Sequence, residues 1–332
     1  MKFNRLLPGL ALHSPCAPRA PRVPRQPVSP KTVALEGPFE HKLLHTRGIR
    51  LHAAVAGDPK DPLVLLIHGT FGAWMDFQHV IAPLAEAGFY VAAVDMRGYG
   101  MSDKPPAQPG SDVLLALGDI DGVITALGHD TVHLVGHDTG GAMAWVYAAA
   151  YPHRVRSLTS ISAAHPHDLC THMLRRPWEL MYMTVRVRVG LLPRGIIRAS
   201  RRFISTVWRR ELTINTAPEF TGTPAFEEAL DLRIRAARID HALRGIVRNS
   251  RLLIPKLIEL PDPSPKYTLD GPVHAPVLML HPRQKVWERI TQYSRRRAPN
   301  TQQMSIPGAK NVPHIEKPGA FVAALNSFLA RT

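Results

Sequence analysis

The stretch VHLVGHDTGGAMAW, residues 132–145, decides how the chain is read. Val132 to Val135 form a short apolar run that fits a strand buried on both faces. Gly136-His137-Asp138-Thr139-Gly140 breaks the run, and small helix-forming residues follow. A strand, a tight Gly-x-Asp-x-Gly turn and a helix hold one side chain out at the C-terminal edge of a sheet. The backbone at such a tip is strained and closely packed, and Gly136, Gly140 and Gly141 supply the small residues it needs. Asp138 occupies the tip, with the N–H groups of the new helix aimed toward it. The alternative task for Asp138 is simply to N-cap that helix.

Further runs of the same kind lie on either side. LVLLIHG (63–69), YVAAVD (90–95), TVHLVG (131–136) and SLTSISA (157–163) are near-continuous apolar segments separated by helical patterns, as expected of parallel strands. HKLLHT (41–46) and RLHAAVAG (50–57) read as an antiparallel pair around Arg47-Gly48. After Ala163 the rhythm gives way to about a hundred residues of helical periodicity rich in arginine; PVLML (276–280), a helix, TQQMSIP (301–307) and a last amphipathic helix from about Glu316 to Leu329 follow. A βαβ series interrupted by a helical block and then resumed predicts an α/β fold: one doubly wound domain with an inserted cap. The expected division is a basic Pro-rich tail over 1–35, core over 36–164, helical cap over 165–264 and core again over 265–332.

The 332 residues suffice for such a domain, and 45% of them are hydrophobic. The net charge of +15 demands that an anionic partner be considered. Residues 1–35 contain six basic and no acidic residues, and Pro15, Pro18, Pro21, Pro24, Pro27 and Pro30 recur every third position. That composition reads as a solvated tail outside the fold. Cys16 and Cys170 have neither disulfide-framework nor zinc spacing, which favours a reducing, cytoplasmic setting. The opening MKFNRLLPGLALHSPC is basic, but its apolar run is short and broken by Pro8, so a cleaved signal is not expected. No apolar stretch approaches the length of a membrane span.

Three further segments follow predicted strands in order. HGTFGAW (68–74) is a Gly-containing loop able to present backbone N–H groups to an oxyanion, with Thr139 N–H as the other half of the hole. DMRGYGMSDKP (95–105) is a Gly-rich structural turn, and NVPHIEKPGAF (311–321) puts His314 on a loop before the last helix. Together with GHD-x-GG these segments resemble the epoxide hydrolases of the α/β-hydrolase superfamily, relatives of the haloalkane dehalogenases, over about residues 39–332. The resemblance implies a mostly parallel eight-stranded sheet with a helical cap, Asp138 as nucleophile and His314 as base. It implies the N–H groups of Phe71 and Thr139 as oxyanion hole and Tyr182 in the cap as ring-opening acid. The implied substrate is a small apolar epoxide or related molecule, and no metal or organic cofactor is called for.

The chain departs from the family pattern in several places. HPRQKVW (281–287) has Pro282 at the usual glycine and Lys285 where the family carries the acid that orients the histidine, leaving Asp168 and Glu288 as candidates for that role. Val247-Arg248-Asn249 lacks the family's second cap tyrosine. Thr139 and Thr70 replace the halide-binding tryptophan and asparagine of dehalogenases, which disfavours that chemistry, and Phe71 replaces a proline. From Met181 to Arg210 there are eight arginines and no acid, with Ile197, Ile204 and Trp208 on one helical face. This is a cap helix with a solvated outer face or, alternatively, a lid resting on anionic membrane. No nucleic-acid-binding module accompanies the charge. A catalytically weakened binding protein on the same fold is the competing reading, favoured by Lys285 and Val247.

Overall fold

The computed structural model describes residues 28–106, 112–179, 204–246 and 270–332. Its single eight-stranded sheet has the order β1-β2-β4-β3-β5-β6-β7-β8, with β1 Glu40–Thr46, β2 Ile49–Ala56, β3 Leu63–Ile67, β4 Tyr90–Val94, β5 Val132–His137, β6 Val155–Ile161, β7 Val277–Leu280 and β8 Thr301–Met304. The β1–β2 and β2–β4 pairs are antiparallel and the other neighbours are parallel. Arg47 (φ 47°) and Gly48 (φ 78°) close the hairpin in the left-handed region, the geometry that matches strand twist in a two-residue turn.

Every residue of β3 and β4 is buried, which is why their sequences are apolar without alternation. On one face Leu65 and Ile67 pack with α2 Asp112–Ala126, α3 Thr139–Ala150, α4 Pro166–Arg175 and α7 Lys285–Arg297. On the other, Val64 and Leu66 pack with α1 Gln78–Glu86 and α8 Pro318–Leu329. The cap helices α5 Ile204–Asn215 and α6 Pro224–Arg238 share a third cluster, in which Trp208, Leu212, Phe226 and Leu230 meet Tyr99 of the β4 loop. The chain after α6 approaches that loop so closely that a Cβ on Gly245 would sit 2.5 Å from the Gly98 carbonyl oxygen.

Two expected boundaries move. Residues 28–35 are part of the fold: Pro30–Val33 forms a 3-10 turn, Val33 is fully buried, and its carbonyl accepts a hydrogen bond from Trp74 Nε1 at 3.1 Å. An apolar residue with a carbonyl aimed at an indole is a docking contact, which the basic composition around it obscured. Helix α4, expected within the cap, packs on core helix α7 instead, where Asp168 accepts from Ser294 Oγ at 3.2 Å. The N-terminal arm also meets a polar chain that runs from the surface to buried Asp95. Leu35 O contacts His41 Nε2 (2.8 Å), His41 Nδ1 contacts His52 Nε2 (2.8 Å), and His52 Nδ1 contacts Asp95 (2.9 Å). Asp95 also accepts from the N–H groups of Trp74 and Met101. Burial opposes ionisation of Asp95, but the hydrogen bond and charge of His52 outweigh it and hold the carboxyl below its ordinary range.

Because Val33 is packed against the face that carries Trp74 and Phe321, Val33→Ala should lower the unfolding free energy by about 2 kcal/mol in urea titration. Stability equal to wild type would mean that residues 28–35 contribute nothing to the fold.

Candidate active site

Strand β5 runs directly into α3 through Asp138, whose φ of 51° and ψ of −117° belong to neither element. Holding a non-glycine residue there costs on the order of 1–3 kcal/mol, so the surroundings must enforce it. They do so by close packing. A Cβ on Gly136 would lie 2.6 Å from the Gly140 carbonyl oxygen, one on Gly140 2.5 Å from the carbonyl oxygens of Ile67 and His68, and one on Gly141 2.6 Å from Ala163 Cβ. Asp138 stands at the N-cap position but makes no side-chain capping bond. Its Oδ2 instead accepts from the Thr70 N–H at 3.1 Å. The carboxylate therefore faces the loop after β3, half-buried, rather than the end of its own helix.

The loop donor that reaches Asp138 is Thr70, one residue before the expected Phe71. A turn closed by Gly72 N–H on Gly69 O (3.2 Å) puts Thr70 at the corner facing the elbow, and the Thr70 and Thr139 hydroxyls meet at 3.1 Å. Phe71 turns toward the cap: its carbonyl accepts from Trp208 Nε1 at 3.1 Å and its ring meets the Trp208 ring edge-on. Thr139 is the first residue of α3, so its N–H is among the donors with no intrahelical acceptor.

His314 lies in a short helical turn, Pro313–Glu316, at 1% exposure. Its ring stacks on Phe77 at 4.7 Å and lies 4.9 Å from the ring of His137, the residue before Asp138. Among the described residues neither ring nitrogen has a hydrogen-bond partner. Burial, reinforced by the nearby His137 and Arg233, pushes its pKa well below the ordinary histidine range, so the imidazole is neutral and able to accept a proton.

The two acids proposed to orient His314 are engaged elsewhere or exposed. Asp168 is buried against Ser294 and Arg297 between α4 and α7. Glu288 is exposed on α7, near enough to His281 to act on its charge, and Lys285 is exposed at the start of the same helix. Neither acid hydrogen-bonds His314. Tyr182 and Val247-Arg248-Asn249 lie outside the described residues.

The structure adds a buried charge cluster that the sequence reading missed. Arg233 of α6, 2% exposed, donates Nε and Nη2 to the two oxygens of Asp76, each at 2.9 Å, and Nη1 to Glu211 of α5 at 3.2 Å. Asp76 lies in the 3-10 turn Trp74–Phe77 that follows the Thr70 loop, and a side chain at Gly72 would collide with its carboxylate. A signal was legible. Arg233 interrupts an apolar stripe of Phe226, Leu230 and Ala237 at helical spacing, and Asp76 sits inside the apolar WMDF. A charge on a buried face requires a partner.

Asp76, His137 and His314 each offer an atom, all within 4.8 Å of one another, in the two-histidine, one-carboxylate set of some metal centres. Both Asp76 oxygens already face the Arg233 guanidinium, a fixed positive charge where a cation would bind. This set does not suit a metal ion.

An elbow between a buried parallel strand and a helix, a donor loop after β3 and a histidine after the last strand define the α/β-hydrolase fold. The alpha/beta hydrolase fold family matches residues 62–212. Part of the chain is similar in sequence to epoxide hydrolases. It is 41% identical over 125 residues to epoxide hydrolase B of Mycobacterium tuberculosis, covering 37% of this chain and 35% of that protein. It is 38% identical over 130 residues to the AB hydrolase superfamily protein YfhM of Bacillus subtilis, covering 39% of this chain and 46% of that one. The matched segments thus span less than half the length of these relatives. The crystal structure of epoxide hydrolase A from Mycobacterium thermoresistibile aligns with TM-score 0.69 at 25% identity, over 88% of this chain and 98% of that chain. ALR0039 from Nostoc sp PCC 7120, at 23% identity and TM-score 0.76 over 89% and 99% of the two chains, shares the fold.

Two outcomes follow from these charges. Arg233→Ala leaves Asp76 and Glu211 buried without their cation and should cost about 3–5 kcal/mol in chemical denaturation, whereas a loss below about 1 kcal/mol would mean the cluster is solvated. The second concerns acid. Burial pushes the pKa of His314 and of His281 below the ordinary histidine range and, with Arg156 adding to it, lowers that of His133 to about 4. The unfolded chain binds protons at these sites near pH 6.5 while the folded chain resists them, so their contribution is full above that pH and is lost as pH falls. Unfolding free energy should drop between pH 7 and 5.5 by up to about 1.4 kcal/mol per pH unit for each such histidine. A flat profile over that window would show that these rings reach solvent.

Proposed function

We propose that the chain is a hydrolase of the epoxide hydrolase type acting on a small apolar epoxide. The observation that carries the reading is the Asp138 carboxylate at the strained tip, with one oxygen on the Thr70 N–H and no role in capping. The other oxygen attacks an epoxide carbon, the C–O bond of the ring breaks, and the ring oxygen takes a proton. The product is an alkyl ester on Asp138. Tyr182 is the proposed donor of that proton. His314, neutral in its apolar pocket, then removes a proton from water as the water attacks the ester carbonyl. Charge develops on the ester oxygen held by the Thr70 N–H, with the Thr139 N–H as second donor. Collapse of the intermediate expels the alcohol oxygen, which takes the proton from His314, leaving a diol and free Asp138.

A second reading is a catalytically weakened binding protein, supported by the unpartnered His314 nitrogens and by Lys285 in place of the orienting acid. Membrane contact has less support. Ile204 and Trp208 face the cap interior and Arg209 pairs with Glu227, as in a cap helix with a solvated outer face. Among the described residues no helix is long and apolar enough to cross a membrane.

Intact-mass measurement with a panel of epoxides should show an adduct in wild type and none in Asp138→Ala. A single turnover in ¹⁸O water should place label in the Asp138 carboxylate. Turnover surviving Asp138→Ala would overturn the nucleophile assignment, and absence of both adduct and diol across the panel would favour the binding-protein reading.

A further inference from the structure

We propose that Asp76 is the positioning residue of His314, the carboxylate that fixes the imidazole's tautomer and orientation in place of the acid missing at Lys285. This rests on the reading of His314 as the base that activates water. The motivating juxtaposition is a buried carboxylate oxygen and a His314 ring nitrogen within 4.8 Å of each other.

His314 has the need. A neutral imidazole carries one N–H and one lone pair, and both nitrogens are buried without a partner among the described residues. If one of them works on water, the other must be held, or the ring will sample unproductive orientations. Asp76 has the capacity. A carboxylate offers about four lone-pair sites, and Arg233 occupies one on each oxygen. Its burial shields a further hydrogen bond from competing water. The surrounding geometry suits the pairing, because Phe77, the residue after Asp76, stacks on the His314 ring and sets its plane. Bringing atoms that lie within 4.8 Å to hydrogen-bond length takes at most about 2 Å of movement, and catalytic hydrogen bonds commonly tighten only when substrate is bound. When His314 takes the proton from water, the imidazolium forms beside a carboxylate rather than beside the bare Arg233 cation.

The test has two independent readouts on the full chain. In ¹⁵N spectra of histidine-labelled protein, wild-type His314 should show one dominant tautomer, and Asp76→Asn should shift it toward a mixture, with Asp76→Glu recovering part of the wild-type pattern. In single-turnover experiments with styrene oxide, Asp76→Asn should leave ester formation on Asp138 within a few-fold of wild type. It should slow ester hydrolysis on the order of 10²- to 10⁴-fold, so that ester accumulates. Adding Lys285→Asp should restore at least tenfold of that loss. If Asp76→Asn does not fold, Asp76→Asn with Arg233→Met and Glu211→Gln removes the buried charges together and allows the same measurements. An unchanged His314 tautomer, or equal slowing of both steps with a lower Tm, would reduce Asp76 to a structural anchor and overturn the proposal. If wild type forms no ester with styrene oxide or the wider epoxide panel, the hydrolase reading fails, and the ¹⁵N result still decides whether Asp76 holds His314.

Discussion

Helix α3 can press against β3, β5 and β6 only because positions 136, 140 and 141 have no side chain. That contact leaves the chain no relaxed path from strand to helix, and the strain falls on Asp138. Most of the site's geometry follows from it. The carboxylate is turned off the helix end, so it meets the Thr70 N–H, and His137 is left beneath it, facing His314. A strained residue persists only where its neighbours over-determine it, and here those neighbours are backbone carbonyls that cannot move aside without breaking the sheet.

The cap is tied to this arrangement through one guanidinium. Arg233 reaches from α6 to Asp76 in the core and to Glu211 on α5, so the charge that joins the two layers also lies within electrostatic reach of Asp138 and His314. It disfavours protonation of His314. Polar rather than apolar fastening at this point makes the position of the cap and the ionisation of the site one property, since neither can change without the other.

Much of the fold was legible because buried parallel strands have no polar face to disguise them. LVLLI and YVAAV could be little else, and the glycines around Asp138 marked the elbow. The site was legible where chemistry coincides with a backbone constraint, as at Asp138, and less so where it depends on tertiary approach. Thr70 and Phe71 are adjacent in one loop, and only the folded turn shows which N–H faces the elbow. Asp76 and Arg233 are 157 positions apart, and no local pattern pairs them, although each broke an apolar stripe. The arm over 28–35 was hidden differently: one buried valine and three carbonyl contacts carry its docking, within a segment whose composition suggests solvent.

The chain from Leu35 through His41 and His52 to Asp95 contains three hydrogen bonds. At its two ends stand a carbonyl and an ionised carboxylate, both of which can only accept. The two imidazoles therefore supply the donor at each end. The same Asp95 holds the backbone of Trp74, at the start of the turn that carries Asp76, so the N-terminal arm and that turn are fastened to opposite ends of one hydrogen-bonded chain.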